Sequence, residues 1–274
     1  MRSKLWLVAT LLIVAGCRYD IWQFVARPPV DTRVAESLAD TVPAPAVNPD
    51  SFRFAVLSDL HFGSDYPVRF PEFSAAVPGL GLSFICVLGD VADHGLPEEY
   101  SLARATLDST GLPCLATIGN HDLYQATGWQ DFQTTFGPSC YAVVVGNKLK
   151  LIFMDTADGM VGQRQFDWLE DQLNDDNRTV KMVLTHYPSY DGTDPIMWRL
   201  ASGPERYKLQ YYLETFGVKA YVAGHVHGWR HTVIGNVEHF ISALSPDGMD
   251  YGTPGYLVFT FAHDSLSWER IEVR

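Results

Sequence analysis

Five short apolar runs in this chain each end at a residue that can bind a metal ion. Two of these terminal residues, Asp59 and His225, are followed two positions later by a histidine. Because the carboxyl ends of strands in an open α/β sheet line the ligand crevice, we expect the terminal residues to surround a common point. The seven candidate ligands are Asp59, His61, Asp90, Asn120, His186, His225 and His227.

The chemistry of these side chains favours two metal ions over one. Carboxylate, amide and imidazole donors suit divalent ions such as Mn²⁺, Fe²⁺ or Zn²⁺, and the lack of a neighbouring cysteine argues against a thiolate site. Seven ligands are too many for one ion, whereas two ions about 3.5–4 Å apart that share a bridging carboxylate would use them all. Two divalent ions and two aspartates leave roughly two positive charges, so the centre is expected to attract phosphate and to ionise a bridging water.

His121 directly follows the candidate ligand Asn120 and is expected to point in another direction. We therefore assign His121 the second task of phosphoester cleavage, the donation of a proton to the leaving-group oxygen. Asp122 is expected to orient the His121 ring. Asp93 and His94 have two interpretations: they bond the backbone or the far nitrogen of a ligand, or they touch the substrate.

The elements that must position these residues alternate between strand and helix up to residue 223, which is typical of an α/β fold. Amphipathic stretches predict helices over 97–110, 162–174 and 204–216. Apolar runs with turn residues between them predict consecutive strands over 229–234, 237–243, 256–261 and 267–273. The sheet region is therefore predicted to be mixed.

The blocks that carry the candidate residues resemble the five ordered blocks of the calcineurin-like metallophosphoesterase superfamily. They are Asp59-Leu60-His61, Gly89-Asp90-Val91-Ala92-Asp93, Gly119-Asn120-His121-Asp122, His186 and Gly224-His225-Val226-His227. The resemblance spans about residues 53 to 230. It implies two mixed β-sheets packed as a sandwich and flanked by helices, a dinuclear centre, and hydrolysis of phosphomonoesters or phosphodiesters by a metal-bridging hydroxide.

The resemblance also divides the ligands between the two ions and makes His121 the general acid. It implies one ion on Asp59, His61, Asp90 and His227, and another on Asp90, Asn120, His186 and His225, with Asp90 bridging. His61 in the first block, and no tyrosine three residues after Asp90, make the chain more similar to the bacterial phosphodiesterase-type branch than to purple acid phosphatases. Cyclic nucleotides, glycerophosphodiesters, nucleic acids and lipid phosphates all stay open as substrates, with phosphodiesters slightly favoured.

The N-terminus has the pattern of a targeting segment. Arg2 and Lys4 precede an apolar run of 11 residues, which is shorter than the roughly 20 residues that a membrane-spanning helix needs. Val14-Ala15-Gly16-Cys17 resembles a bacterial lipobox, which implies a signal peptide over residues 1–16 and a lipid anchor on Cys17. The protein is therefore expected in the bacterial cell envelope, held to a membrane and facing the periplasm or the cell exterior.

Amino-acid composition distinguishes the N-terminal segment from the domain, and net charge disfavours one class of binding partner. Residues 17–50 are rich in proline and are predicted to form an extended tether, with one or two helical turns left open over 34–39, and the metallophosphoesterase domain is predicted over 51–274. The formal net charge of −12 disfavours long nucleic acids, so a small phosphoester is the expected substrate. Cys86, Cys114 and Cys140 are an odd number in apolar surroundings, and we expect packing residues rather than a disulfide framework.

Some alternatives remain open on the sequence alone. A non-catalytic envelope lipoprotein could keep the fold for binding or scaffolding, and a nuclease could act on short oligonucleotides. The segment 187–208 is either a substrate wall or surface packing, and the loop 123–131, which holds Tyr124 and Trp129, has the same two interpretations. In a substrate wall, Tyr190 or Trp198 would stack on a base, and Arg199 or Arg206 would clamp a phosphate.

Overall fold

The computed structural model describes residues 27–63, 69–174, 179–190, 199–244 and 253–273. In this part of the chain strands alternate with helices before the final run of strands. The helices are α1 (Val30–Ser37), α2 (Phe70–Leu80), α3 (Pro97–Asp108), α4 (Gly128–Phe136), α5 (Gln163–Asn174) and α6 (Gly203–Thr215), with a 3₁₀ turn at His121–Leu123. The strands are β1 (Ser51–Leu57), β2 (Phe84–Leu88), β3 (Cys114–Thr117), β4 (Tyr141–Val145), β5 (Leu149–Met154), β6 (Val180–Thr185), β7 (Ala220–Ala223), β8 (Trp229–Ile234), β9 (Val237–Ser242), β10 (Gly255–Ala262) and β11 (Ser265–Glu272).

The strands form two mixed sheets. The first has the order β11-β10-β1-β2-β3, in which β1, β2 and β3 are parallel and the β10–β11 hairpin is antiparallel to its neighbours. The second has the order β4-β5-β6-β7-β9-β8, with four central parallel strands and an antiparallel strand at each edge. The predicted mixed sheet region is confirmed.

Alternation of side chains along the strands builds three apolar layers. In β2, Phe84 and Cys86 face the layer between the sheets, whereas Ile85 faces helices α2–α4. The rings of Phe240 and Phe259, one from each sheet, lie 5.7 Å apart in the central layer. Helices α5 and α6 cover the outer face of the second sheet. The helix-flanked sandwich implied by the family resemblance is therefore confirmed.

The predicted helices and the four C-terminal strands are confirmed to within two residues at each end. The free cysteines Cys86 and Cys140 are buried and Cys114 is half-buried, as expected of packing residues. None of the helices in the described part of the chain combines the length and the apolar composition that a membrane span requires.

The segment before β1 differs from its prediction as an extended tether. Residues 30–37 form helix α1, which buries Val30 and Val34. Arg33 in this helix is fully buried and donates to both carboxylate oxygens of Asp155, each at 2.8 Å. This ion pair joins positions 122 residues apart, so no local sequence pattern could indicate it. The predicted signal peptide and Cys17 lie outside the described residues.

Candidate metal centre

The candidate ligands lie at the carboxyl ends of parallel strands from both sheets. Strands β1, β2 and β3 of one sheet and β6 and β7 of the other end at the same side of the sandwich. One candidate ligand follows the end of each strand, within two residues for β1, β2, β6 and β7 and after three residues for β3. In the order of the strands these ligands are Asp59, Asp90, Asn120, His186 and His225. His61 and His227 follow two positions further along the first and last of these loops. The packing of two sheets thus brings together residues that are far apart in sequence.

The backbone at five of the seven candidate ligands adopts the left-handed conformation. For a non-glycine residue this conformation costs about 1–2 kcal/mol. Such strain persists where the surrounding structure fixes it, and it clusters at functional sites. The five residues and their φ angles are Asp59 (58°), His61 (46°), Asp90 (48°), His225 (70°) and His227 (50°).

Two glycines allow the loops to approach each other closely. A Cβ atom on Gly224 would lie 1.8 Å from the Ser58 Oγ atom and 2.5 Å from Asp59 Oδ2. A Cβ atom on Gly119 would lie 2.2 Å from both the backbone nitrogen and Oδ1 of Asp90. A larger residue at either position would therefore displace a candidate ligand.

Asp59, His61, Asp90 and His227 form a first group whose ligand atoms all lie within 4.8 Å of one another. The Nε2 atoms of His61 and His227 are 3.1 Å apart. The His227 Nε2 atom lies 3.4 Å from Asp59 Oδ1, and the His61 Nε2 atom lies 3.8 Å from Asp90 Oδ2. All four residues are buried or nearly so.

Asp90, His186 and His225 form a second group within the same distance limit. The His186 Nε2 atom lies 3.3 Å from Asp90 Oδ2 and 3.0 Å from Asn120 Oδ1. Asp90 belongs to both groups, and its other oxygen, Oδ1, accepts the backbone N–H of His121 at 2.8 Å. The seven predicted side chains are thus brought together, with Asp90 between the two sets.

The outer nitrogens of two histidines determine which nitrogen faces inward. His186 Nδ1 lies 2.8 Å from the Leu88 carbonyl oxygen, which can only accept, so Nδ1 carries the proton. His61 Nδ1 lies 3.1 Å from the Asp93 carboxylate. Nε2 is therefore the nitrogen of each ring that faces the interior and can bind a metal ion once it has lost its proton, the arrangement by which histidine holds a metal ion. This donor set fits divalent cations.

The electrostatics of the site stabilise positive charge. Burial lowers the pKa of His186, but the Asp90 and Asp59 carboxylates and the hydrogen bond to Leu88 together outweigh this effect and raise the pKa to about 9. Burial also opposes ionisation of His61, yet the hydrogen bond with Asp93 and nearby carboxylates raise its pKa to about 9. Burial raises the pKa of Asp90, but the surrounding histidines hold it well below its usual range. These directions favour a proton or a metal ion between the histidines and the carboxylates.

The prediction that Asp122 orients the His121 ring is wrong. The buried Asp122 carboxylate accepts backbone N–H groups of Ala92 and Gly119 at 2.9 Å, and that of Val91 at 3.3 Å. The His121 Nδ1 atom instead bonds the Asp93 carbonyl oxygen at 2.8 Å. The Asp122 side chain points into the protein and away from the His121 ring, although the two residues are neighbours in sequence. Asp122 therefore fixes the backbone of two ligand loops.

The predicted interpretation of Asp93 as a partner for the far nitrogen of a ligand is confirmed by its contact with His61. His94 contacts the carboxylates of Asp93 and Glu99 at 3.1 Å and 3.2 Å.

The family of this chain follows from a comparison of its sequence with known families. Residues 52–229 match the calcineurin-like phosphoesterase family. The chain belongs to this family. The match includes all seven candidate ligands and His121, whereas α1 and strands β9 to β11 lie outside it.

Relatives of this calcineurin-like phosphoesterase include proteins named as phosphodiesterases. A probable cyclic nucleotide phosphodiesterase of Synechococcus sp. is 28% identical over 149 residues, which cover 51% of this chain and 55% of that protein. The glycerophosphodiester phosphodiesterase GpdQ of Enterobacter lignolyticus is 28% identical over 120 residues, 38% of this chain and 41% of that protein. The aligned part of the chain thus spans about half the length of these relatives.

A solved structure shows the same fold. The purple acid phosphatase PPD1 from yellow lupin (Lupinus luteus) seeds superposes with a TM-score of 0.68 at 15% identity, over 84% of this chain and 52% of that one. At this identity the likeness concerns the fold.

Two tyrosines flank the ligands of this calcineurin-like phosphoesterase. The Tyr187 ring stacks on the His225 ring with centroids 3.7 Å apart, and the Tyr124 ring lies 4.4 Å from that of His121. Tyr187 is the first residue of the 187–208 segment, for which the sequence leaves a substrate wall and surface packing open, but this tyrosine has no predicted role of its own. The other aromatic residue of the 123–131 loop, Trp129, is buried and bonds the Glu36 carboxylate, so it is a packing residue.

The other residues of the predicted substrate wall differ in their surroundings. Arg206 donates to the carbonyl oxygens of Leu200 and Ala201, next to its own helix, and so serves local structure. Tyr190 is exposed and Arg199 is half-buried. Trp198 lies outside the described residues.

Proposed function

We propose that this chain is a metal-dependent hydrolase of phosphoric esters that favours phosphodiesters slightly over phosphomonoesters. The observation that carries the proposal is the convergence of seven metal-binding side chains from two sheets, with Asp90 shared between their two groups. The names of the two bacterial relatives support the preference for diesters.

The two groups would hold two divalent ions, with Mn²⁺, Fe²⁺ and Zn²⁺ all compatible with the donor set. When bound, such ions supply positive charge to phosphate oxygens and lower the pKa of coordinated water. One ion would be held by Asp59, His61, Asp90 and His227, and the other by Asp90, Asn120, His186 and His225.

His121 would donate the proton that the departing alcohol needs. Its Nδ1 atom is engaged by the Asp93 carbonyl oxygen, which leaves Nε2 as the atom that can carry a proton toward the substrate. The ring is partly exposed, unlike those of the ligand histidines, and its backbone N–H holds Asp90. His121 is thus placed beside the metal ligands without its ring being needed as one.

The same proposal places the enzyme in the bacterial cell envelope. Its support is the lipobox-like sequence ending at Cys17, which precedes the domain by a proline-rich stretch. Small phosphoesters outside the cytoplasm would then be its substrates.

The test is hydrolysis of bis-p-nitrophenyl phosphate by the Mn²⁺-reconstituted protein. We expect turnover in the wild type, near-complete loss in Asp90→Ala, and a loss of roughly 10²–10⁴-fold in kcat in His121→Ala. Asp108→Ala, which alters an exposed carboxylate on α3, is the matched control. Equal activity in all variants would indicate a contaminant, and a wild type that binds Mn²⁺ without turnover would favour the binding or scaffolding alternative.

A further inference from the structure

Helix α1, which precedes the family match, is held on the loop after β5 by a buried ion pair. Arg33 donates from Nε and Nη2 to the two carboxylate oxygens of Asp155, each at 2.8 Å, and both side chains are fully buried. The Ser139 hydroxyl donates to the same carboxylate at 2.9 Å. Planar bidentate pairing fixes orientation as well as distance. The position of Asp155 therefore depends on a residue outside the 52–229 match.

The next residue, Thr156, is buried and contacts the residues on both sides of the candidate ligand His186. Its hydroxyl oxygen accepts the backbone N–H of Tyr187 at 2.8 Å and lies 2.7 Å from the Thr185 hydroxyl. The Thr185 hydroxyl donates its single proton to the Met154 carbonyl oxygen at 3.2 Å, so Thr156 is the donor between the two hydroxyls. Both hydrogen-bonding capacities of Thr156 are thus directed at the backbone segment that carries His186.

The direction of the His186 ring depends on that segment. His186 follows the last residue of β6, and its Nε2 atom lies 3.3 Å from Asp90 Oδ2 and 3.0 Å from Asn120 Oδ1. A metal ligand must be held to within about 0.5 Å of its working position by the residues around it. Rotation of the backbone at His186 would move Nε2 away from Asp90 and Asn120, and the bonds of Thr156 to the two neighbouring residues oppose this rotation.

The other histidine of the second group is supported by the same segment. The ring of His225 stacks on the ring of Tyr187, with centroids 3.7 Å apart, and the backbone of Tyr187 is bonded to Thr156. In the first group, His61 is held by the Asp93 carboxylate instead. Loss of the Thr156 hydroxyl is therefore expected to affect the second group selectively.

We propose that Thr156, fixed by the pair between Arg33 and Asp155, is a positioning residue for His186, so that binding of the second metal ion depends on helix α1. The inference rests on the dinuclear centre of the proposed function. It assigns a role in metal binding to a helix outside the 52–229 family match. Because it concerns metal binding, it can be measured without turnover.

The experiment is a calorimetric titration of the full chain and its variants with Mn²⁺. Thr156→Val keeps the shape of the side chain and removes the hydroxyl, and we expect it to weaken one of the two Mn²⁺ sites by roughly 10–100-fold. The other site should change by less than about 3-fold, and Thr156→Ser, which restores the hydroxyl, should keep both affinities within about 3-fold of the wild type. Arg33→Lys, which keeps the charge but not the planar fork, should weaken the same site by roughly 3–10-fold.

A double variant identifies the site that is affected. His186→Ala removes a ligand of the second group, so the addition of Thr156→Val should change the remaining Mn²⁺ affinity by less than about 3-fold. A further loss in this background would place the effect on the first group and would overturn the inference. Unchanged affinities in the single variant Thr156→Val, or equal losses at both sites, would also overturn it.

Lys181→Met is the matched control for a general loss of stability. Lys181 is a buried cation at the other end of β6, where its Nζ atom donates to the Leu173 carbonyl oxygen at 2.7 Å. We expect this variant to be less stable in urea but to keep both Mn²⁺ affinities, and a loss of affinity equal to that of Thr156→Val would contradict the positioning role. A wild type that binds two Mn²⁺ ions without hydrolysing phosphoesters would remove the proposed function, and the affinities of Thr156→Val would still decide the inference.

Discussion

The Nε2 atoms of His61 and His227 face each other at 3.1 Å, although the two residues are 166 positions apart in sequence. Both residues have a left-handed backbone, and the His61 ring is held from behind by the Asp93 carboxylate. Two imidazole nitrogens at this distance repel each other unless a proton or a metal ion lies between or beside them. The strained loops therefore hold two imidazole nitrogens that share either a proton or a metal ion.

Replacement of Asp93 tests how much the outer hydrogen bond contributes to metal binding. Asp93→Ala removes the carboxylate at 3.1 Å from His61 Nδ1 but keeps the backbone carbonyl that His121 uses. We expect Mn²⁺ affinity at one of the two sites to fall by roughly 10–100-fold. Calorimetric titration of wild type, Asp93→Ala and the control Asp108→Ala measures this change. Affinities unchanged at both sites would show that the carboxylate does not support the ligand.

The close approach of the loops predicts a contrast between two glycines. Gly119→Ala would place a Cβ atom 2.2 Å from the Asp90 backbone nitrogen, whereas Gly79→Ala in helix α2 would meet nothing within 4 Å. We expect Gly119→Ala to lose metal binding or to destabilise the protein by about 2 kcal/mol or more. Gly79→Ala is expected to be neutral or stabilising by up to about 1 kcal/mol. Urea denaturation measures the stability of both variants, and Mn²⁺ titration measures their metal binding. Equal stability and equal Mn²⁺ affinity in the two variants would contradict the close approach of the loops at Gly119.

The burial of His239 is expected to make the stability of the protein vary with pH, without involvement of the metal centre. This histidine of β9 is buried, and neither ring nitrogen has a hydrogen-bond partner among the described residues. Burial lowers its pKa from 6.5 to about 4, against a smaller opposing effect of Glu214. Between these values the unfolded chain binds more protons than the folded one. The contribution of neutral His239 is therefore fully present above pH 6.5 and is lost as the pH falls toward 4.

We expect His239→Leu to remove this part of the pH dependence. The free energy of unfolding of the wild type relative to the variant should fall by up to about 3 kcal/mol between about pH 7 and pH 4. His231→Leu, at a partly exposed histidine of the edge strand β8, is the control. Parallel pH profiles for the wild type and His239→Leu, measured by urea denaturation, would show that His239 does not titrate as described.

The sequence predicts the ligands well because their chemistry is local. An apolar run followed by aspartate, asparagine or histidine identifies a strand and the residue after it, and parallel strands bring such residues to one edge. Alternation in β2 likewise separates Phe84 from Ile85 onto different faces. Asp59, Asp90 and His186 are therefore assignable from the order of residue types along the chain.

What the sequence does not predict depends on long-range contacts. Its pattern places Asp122 against His121, but the Asp122 carboxylate bonds the backbone N–H groups of Gly119 and, some 30 residues away, of Val91 and Ala92, and backbone groups carry no side-chain signature. The prolines around helix α1 predict an extended segment, yet the buried pair between Arg33 and Asp155 holds the helix on the domain. Tyr187 reaches His225 only because β6 and β7 are neighbours.

The proposed lipid anchor has a direct test in bacterial cells. We expect the full-length protein to sediment with membranes and to shift to the soluble fraction in Cys17→Ala, because that variant cannot be acylated. Cys114→Ala, which alters a half-buried packing cysteine, is the control. Wild type and Cys17→Ala found in the same fraction would contradict the anchor and leave the proposed hydrolase intact.

The most direct test of the account is the number and position of the bound ions. Crystals of the Mn²⁺-reconstituted protein should show two anomalous peaks, one surrounded by Asp59, His61, Asp90 and His227, and the other by Asp90, Asn120, His186 and His225. Asp90 should contact both. A single peak, or peaks placed elsewhere while these side chains bond only one another, would contradict a dinuclear centre at this edge of the sandwich.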